Sequence, residues 1–121
     1  MRVAIGRLKN RPEFLRVAAA RRKWVAPGLI LQARASEQAD APLSCRVGFT
    51  ATRKVGNAVT RNRARRRLRA AVQTVMPAHA KPGYDFVLIA RNETAHRPFP
   101  ALLDDLAQAL KRLDAYRDSA S

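Results

Sequence analysis

Acids, cysteine and aromatics are all scarce in this 121-residue chain. Nine Asp and Glu stand against 24 Lys and Arg, a net charge of +15. A field this positive says little about fold and much about partners, since it favours nucleic acid or an anionic membrane surface. The single Cys45 excludes an internal disulfide and a cysteine-based zinc site. One thiol without disulfides fits a reducing compartment, the cytoplasm. No apolar run approaches the roughly 18 to 20 residues needed to cross a bilayer. The basic N-terminus lacks the apolar segment of a secretory signal. Its Arg-rich start imitates a transit peptide in composition, but Glu13 and the pattern after it read as folded protein.

Groups for protein-based chemistry are equally sparse. His79 and His96 fall in expected loops, with no acid–base neighbour at motif spacing. No His/Cys/Asp cluster has zinc-ligand spacing. Helix-dipole compensation and solubility account for Asp104–Asp105. No residue is therefore expected to be catalytic or to bind metal.

What is present is material for one modest core: apolar residues make up 47% of the chain, which suits a globular protein better than a disordered one. A single domain is expected over 1–121, with residues from about 115 frayed. A first helix starts near Pro12, with Phe14, Leu15, Val17, Ala18 and Ala19 on its apolar side. Trp24 to Ala33 reads as a strand bent at Pro27–Gly28, and 34–44 as a polar hairpin loop. Cys45 to Thr52 alternates as a half-buried strand. A long helix runs from about Asn57, a suitable N-cap, to Met76, with Pro77 ending it. Tyr84 to Ala90 is a strand covered on both faces. Leu102, Leu103, Leu106, Leu110 and Leu113 mark a last helix from about Pro98 to Tyr116.

Charge is concentrated, not spread. No acid lies between Asp40 and Asp85, a window holding ten Lys or Arg. Residues 53–69 carry eight of these cations. On a helix, Ala64, Leu68, Ala71, Val72 and Val75 form one apolar stripe. Asn62, Arg65, Arg66 and Arg69 point the other way, flanked by Arg63 and Arg67. Solvated helix faces normally mix signs to form i,i+4 pairs. Here six arginines occupy nine positions from Arg61 without one acid, so a polyanion is the expected neighbour. Arginine's planar fork suits structured RNA, binding phosphate bidentately and stacking on bases. Gly56 permits a turn into the helix, whose first amides suit phosphate. The spacing of a nucleotide-binding P-loop is absent.

Lys54-Val55-Gly56-Asn57-Ala58-Val59 followed by Arg61-Asn62-Arg63 closely resembles the signature of the bacterial ribonuclease P protein family. Softer matches lie at 11–17, 46–50 and 83–89. The resemblance implies an α+β fold: about four strands in a mixed sheet, three helices, and a left-handed βαβ crossover. Three strands are evident from pattern, and the fourth is expected within 22–33. The implied function is to assist a catalytic RNA that removes the 5′ leader of precursor tRNA, an endoribonuclease holoenzyme whose Mg2+ is bound mainly by the RNA. The implied partners are that RNA and precursor tRNA, with no membrane and no obligate protein partner. Carried over by position, Lys54, Asn57, Arg61, Asn62, Arg63, Arg65, Arg66, Arg67 and Arg69 bind the RNA. Phe14, Val17, Phe49 and Arg53 line a cleft for the leader. Ala18 and Gln32 stand where some family members carry aromatics, which reduces the stacking surface. Phe14 and Trp24 are each open between a leader contact and the core.

Other classes fit less well. A ribosomal protein or RNA chaperone explains the charge but not the signature. A DNA-binding protein would place the arginine helix in a major groove, yet no helix-turn-helix spacing is present. A membrane-surface helix needs bulkier anchors than this alanine-rich stripe.

Overall fold

The structure is a computed structural model that describes residues 2–36 and 44–118. Its elements are β1 (Ala4–Arg7), α1 (Arg11–Ala19), β2 (Lys23–Val25), β3 (Leu29–Ala35), β4 (Ser44–Thr50), α2 (Ala58–His79), β5 (Tyr84–Ala90) and α3 (Phe99–Arg112). A 3-10 turn at Arg53–Val55 precedes α2. The strands form one mixed sheet in the order β1-β4-β5-β3-β2. β1, β4 and β5 run parallel, while β3 pairs antiparallel with both β5 and β2.

Each face of the sheet has its own cover. Cys45, Val47, Phe86, Leu88, Leu29 and Leu31 pack under α2 and α3 in the main core. Val87 and Ile89 point the other way, where α1 adds Phe14 and Val17 and the chain before it adds Leu8. Gly48 is the close approach that seats α1: a Cβ there would lie 2.5 Å from the Phe14 ring. Burial pushes the Cys45 thiol up to about 12, with Asp85 adding to the shift. Cys45 is thus an inert core residue.

Several expectations need correction. The sheet has five strands, because Ala4–Arg7 forms a parallel edge strand against β4. Four residues containing Gly6 carry too little alternation to announce a strand, and β4 supplies the template. The stretch read as one bent strand is a hairpin, β2 and β3, turning at Pro27–Gly28. Residues 34–44 do not close a hairpin, because β5 lies between β3 and β4. The loop's centre, 37–43, lies outside the described residues.

Pro77 sits inside α2, which runs on to His79. The amide it lacks would have reached the carbonyl of exposed Gln73, where water can substitute. Its own carbonyl accepts from Val3 N at 2.7 Å. His79 therefore ends a helix instead of lying in a loop, and its ring stacks on Tyr116 at 4.8 Å. α3 ends at Arg112, yet the chain beyond it is held: Ala115 is fully buried and Tyr116 bridges Ala80. Residues 119–121 of the expected tail lie outside the described residues.

α1 is fixed by charge as well as packing. Asn10 and Glu13 form a capping box, and Arg46 joins Glu13 at 2.5 Å to buried Asp85 at 2.8 Å. The backbone amides of Lys9 and Asn10, with Arg46 beside them, hold the Glu13 carboxyl below its ordinary value. Stability from a depressed carboxyl is complete above its unfolded pKa, about 4.3, and is lost as pH falls through the native value. Glu13→Gln should therefore cost about 1 kcal/mol at neutral pH. In urea melts the gap from wild type should close as pH falls below that unfolded value. A gap unchanged in acid would contradict this role.

Candidate nucleic-acid interface

α2 holds its cations outward because the other side is locked down. Ala64, Leu68, Ala71, Val72, Val75 and Met76 are all buried, as the apolar stripe requires. The helix starts where expected. Asn57 caps it, accepting from Thr60 N at 2.9 Å. Gly56 adopts φ 146°, in the region that favours glycine, and a Cβ there would meet Thr60 at 3.0 Å. This kink sets Arg53, Lys54 and Asn57, all exposed, beside the start of α2.

Asn62, Arg63, Arg66 and Arg69 are exposed, and Arg61 and Arg65 half-buried. Arg65 donates to Asn62 Oδ1 at 2.9 Å, which spreads the two side chains along one surface. Among the described residues none of these arginines pairs with a carboxylate. The first turn of α2 also lacks an acid, so cations crowd the positive end of a helix dipole. That arrangement is unfavourable until an anion joins it.

Arg67 departs from the group. Its fork donates to the carbonyls of Thr94, at 2.9 Å, and Arg97. It tethers α2 to the loop before α3. The same loop is held by Thr94 Oγ1 on the Gly28 carbonyl at 2.6 Å and by Arg91 on the Ala26 carbonyl at 2.6 Å. Asp105 completes the cluster. It is 6% exposed, accepts from Arg97 Nε at 2.5 Å and from Gly28 N at 3.0 Å, and so is no solubility residue. No motif spacing announces it, because Arg97 lies eight residues back in the preceding loop and Gly28 in a distant turn.

The four residues expected to line a leader cleft are divided. Phe14 lies on the α1 side, half-buried over Gly48. Val17 is fully buried beside it and presents no surface. Phe49 points through the opposite face, under α2, with the Arg69 guanidinium 6.0 Å from its ring centroid. Phe49 and Phe14 therefore cannot line one cleft. Arg53 is exposed at the end of the sheet. Trp24 is 37% exposed on the α3 side and carries Arg112 over its ring at 5.0 Å, so it is neither core nor near α1.

Beside Phe14 the sheet instead offers half-buried Ile30, Gln32, Thr50 and Ile89. This shelf runs to a cleft of about 510 Å3 lined by Ile30, Thr52, Lys54 and Arg91, among others. Strand alternation alone could have placed Ile30 and Ile89 here once the register was known.

The Ribonuclease P family matches residues 5–114. The chain belongs to that family. It is 60% identical over 116 residues to the ribonuclease P protein component of Paramagnetospirillum magneticum, covering 95% of this chain and 87% of that one. The corresponding protein of Ruegeria pomeroyi is 51% identical over 109 residues, covering 89% and 86%. Among solved structures, the RNase P protein of Staphylococcus aureus shares the fold with a TM-score of 0.74 at 21% identity, covering 92% of this chain and 97% of that one. The Thermotoga maritima RNase P protein gives 0.72 at 25%, covering 88% and 96%. The α+β architecture with three helices is thus that of the ribonuclease P protein family.

The arginines of α2 divide into one that braces the fold and several that do not. Arg67→Ala should destabilise by about 1 to 3 kcal/mol, the cost of orphaning two part-buried carbonyls. Arg67→Lys should not restore it, since a single ammonium lacks the fork. Arg66→Ala should stay within about 0.5 kcal/mol of wild type in the same urea titrations. Equal losses at the two positions would remove the distinction.

Proposed function

We propose that this chain is the protein subunit of ribonuclease P, working in the cytoplasm. It binds the catalytic RNA through the outer face of α2 and assists removal of the 5′ leader from precursor tRNA. The observation that carries this reading is the cationic face of α2, held rigid by its buried stripe and unpaired by carboxylates, in a chain of this family. Lys54, Asn57, Arg61, Asn62, Arg63, Arg65, Arg66 and Arg69 form that RNA-binding surface. Arg67 contributes by bracing the helix.

The leader runs along the α1 side of the sheet, past the Phe14 edge and the Ile30–Ile89 shelf toward Arg53, Lys54 and Arg91. An apolar floor with a cationic rim suits single-stranded RNA of any sequence, because stacking and phosphate contacts do not read bases. The protein's part is to hold and align the substrate. Mg2+ would be held by the RNA and not by side chains of this protein, and would there supply an activated water and charge neutralisation. Among the described residues, the two buried carboxylates are each engaged by an arginine fork, Asp85 by Arg46 and Asp105 by Arg97. By ordering phosphates near the cleavage site, the protein lowers the Mg2+ concentration that the RNA requires.

Cleavage of precursor tRNA at low Mg2+ tests this, using a bacterial ribonuclease P RNA with and without the protein, and the protein alone. RNA plus protein should cut at the mature 5′ end where neither acts efficiently alone. Binding without stimulation, or an unchanged Mg2+ dependence, would favour a general RNA-binding role. Cutting by the protein alone would overturn the assignment of chemistry to RNA.

The interface itself has a salt signature. Replacing Arg65, Arg66 and Arg69 with alanine should leave the thermal melt near wild type. It should lower the slope of log affinity against log salt by about 2 to 3, at roughly 0.7 to 0.9 per phosphate. An unchanged slope would place the RNA elsewhere.

A further inference from the structure

A cleft between the β1–β4 edge and α2 shares only Arg69 with the surfaces assigned above. It holds about 270 Å3 and is lined by Ile5, Arg7, Phe49, Arg69, Val72 and Gln73, with Gly6 and Val47. Its floor is apolar, made by the half-buried Phe49 ring with Val47 and Val72. Its rim is polar: Arg7, Arg69 and Gln73 are exposed. Among the described residues neither Arg7 nor Arg69 pairs with a carboxylate. Arg69 also belongs to the outer face of α2, so the cleft opens onto the surface assigned above to RNA.

We propose that this cleft takes one unpaired base of the RNA that α2 binds, stacked on Phe49, with Arg7 and Arg69 on the flanking phosphates. The inference rests on the reading that the α2 face binds RNA. Size is the first argument. Pockets for small molecules begin at about 300 Å3, so this one suits a single flat ring better than a whole nucleotide or a folded metabolite.

Chemistry is the second argument. Every base has a π-face, and stacking on an aromatic needs no particular sequence. The Arg69 guanidinium already lies over the ring at 6.0 Å. A phosphate is a stronger partner for it than a ring face, so arriving RNA would draw Arg69 aside and uncover Phe49. The Gln73 amide at the rim can donate to and accept from a base edge. Position is the third argument. Phe49 lies on the opposite face of the sheet from Phe14, so this base would belong to the anchoring RNA and not to the leader.

The experiment combines nucleotide-resolution probing of RNA 2′-hydroxyl reactivity with binding titrations across salt, on a bacterial ribonuclease P RNA. It compares wild type with Phe49→Leu, which keeps an apolar side chain but loses the π-face, and with Gln73→Phe. The second variant, at an exposed helix position, blocks the mouth without altering the Phe49 packing and serves if Phe49→Leu loosens the fold. Wild type should protect a nucleotide that either variant leaves reactive at saturation. Affinity should fall about fivefold or more, with the salt slope unchanged. Identical footprints and affinities for all three proteins would reject the cleft. If the arginine triple variant still lost binding in that case, the α2 interface would stand without it. If that variant lost nothing either, the underlying reading would fail too.

Discussion

Burying Ala64, Leu68, Ala71, Val72 and Val75 has to hold in place a helix whose other side repels itself. Six arginines within nine residues repel one another, and Arg61 adds a cation to the first turn, at the positive end of the helix dipole. Most helical stability in proteins comes from tertiary packing of one face, and α2 is an extreme case. Its stripe seals one side of the sheet while keeping an array of positive charge rigid. Both the cationic surface and the Phe49 cleft exist only because that anchoring fixes the rotation of α2 about its axis.

Arginine does two kinds of work in this fold. Arg46, Arg67 and Arg97 turn their forks inward, onto Glu13 and Asp85, two loop carbonyls, and Asp105. Arg46 and Arg67 join segments far apart in sequence, and Arg97 ties the loop before α3 to the helix that follows; a planar donor with several N–H groups can satisfy more than one acceptor. A buried carboxylate such as Asp85 or Asp105 would be costly alone, and the matched fork makes it tolerable. Such pairs add specificity of arrangement more than net stability. Here they set how α1 and the loop before α3 sit against the sheet. The remaining arginines of α2 have no such inward partner, and their charge stays on the surface.

Periodic signals were legible in the sequence, and contacts between distant segments were not. The α2 stripe, the Asn57 cap, the Gly56 turn and the limits of β5 all follow from local pattern, and the structure holds each of them. The short edge strand β1 lacked enough residues to alternate, and its pairing depends on β4. Pro77 misled because helices often stop before proline, whereas here the last turn of α2 continues through it, one turn on from exposed Gln73. Asp105 looked like a surface acid because Arg97, eight residues back, stands at no helical spacing, and Gly28 meets it only once the β2–β3 turn docks on α3.

The sequence by itself determined the family and where the positive charge is concentrated. Net charge, the run from Arg61 to Arg69 and the Lys54–Arg63 signature are properties of residue order, and no folding is needed to read them. Only the tertiary structure decided which of those residues are free to act. It turned Arg67 inward, buried Val17, and put Phe49 and Phe14 on opposite faces of the sheet. The physical reason is that a strand's side chains alternate with a period of two, while the face that becomes each surface depends on what packs against it. That choice is made by α1, α2 and α3 together, and no segment holds it alone.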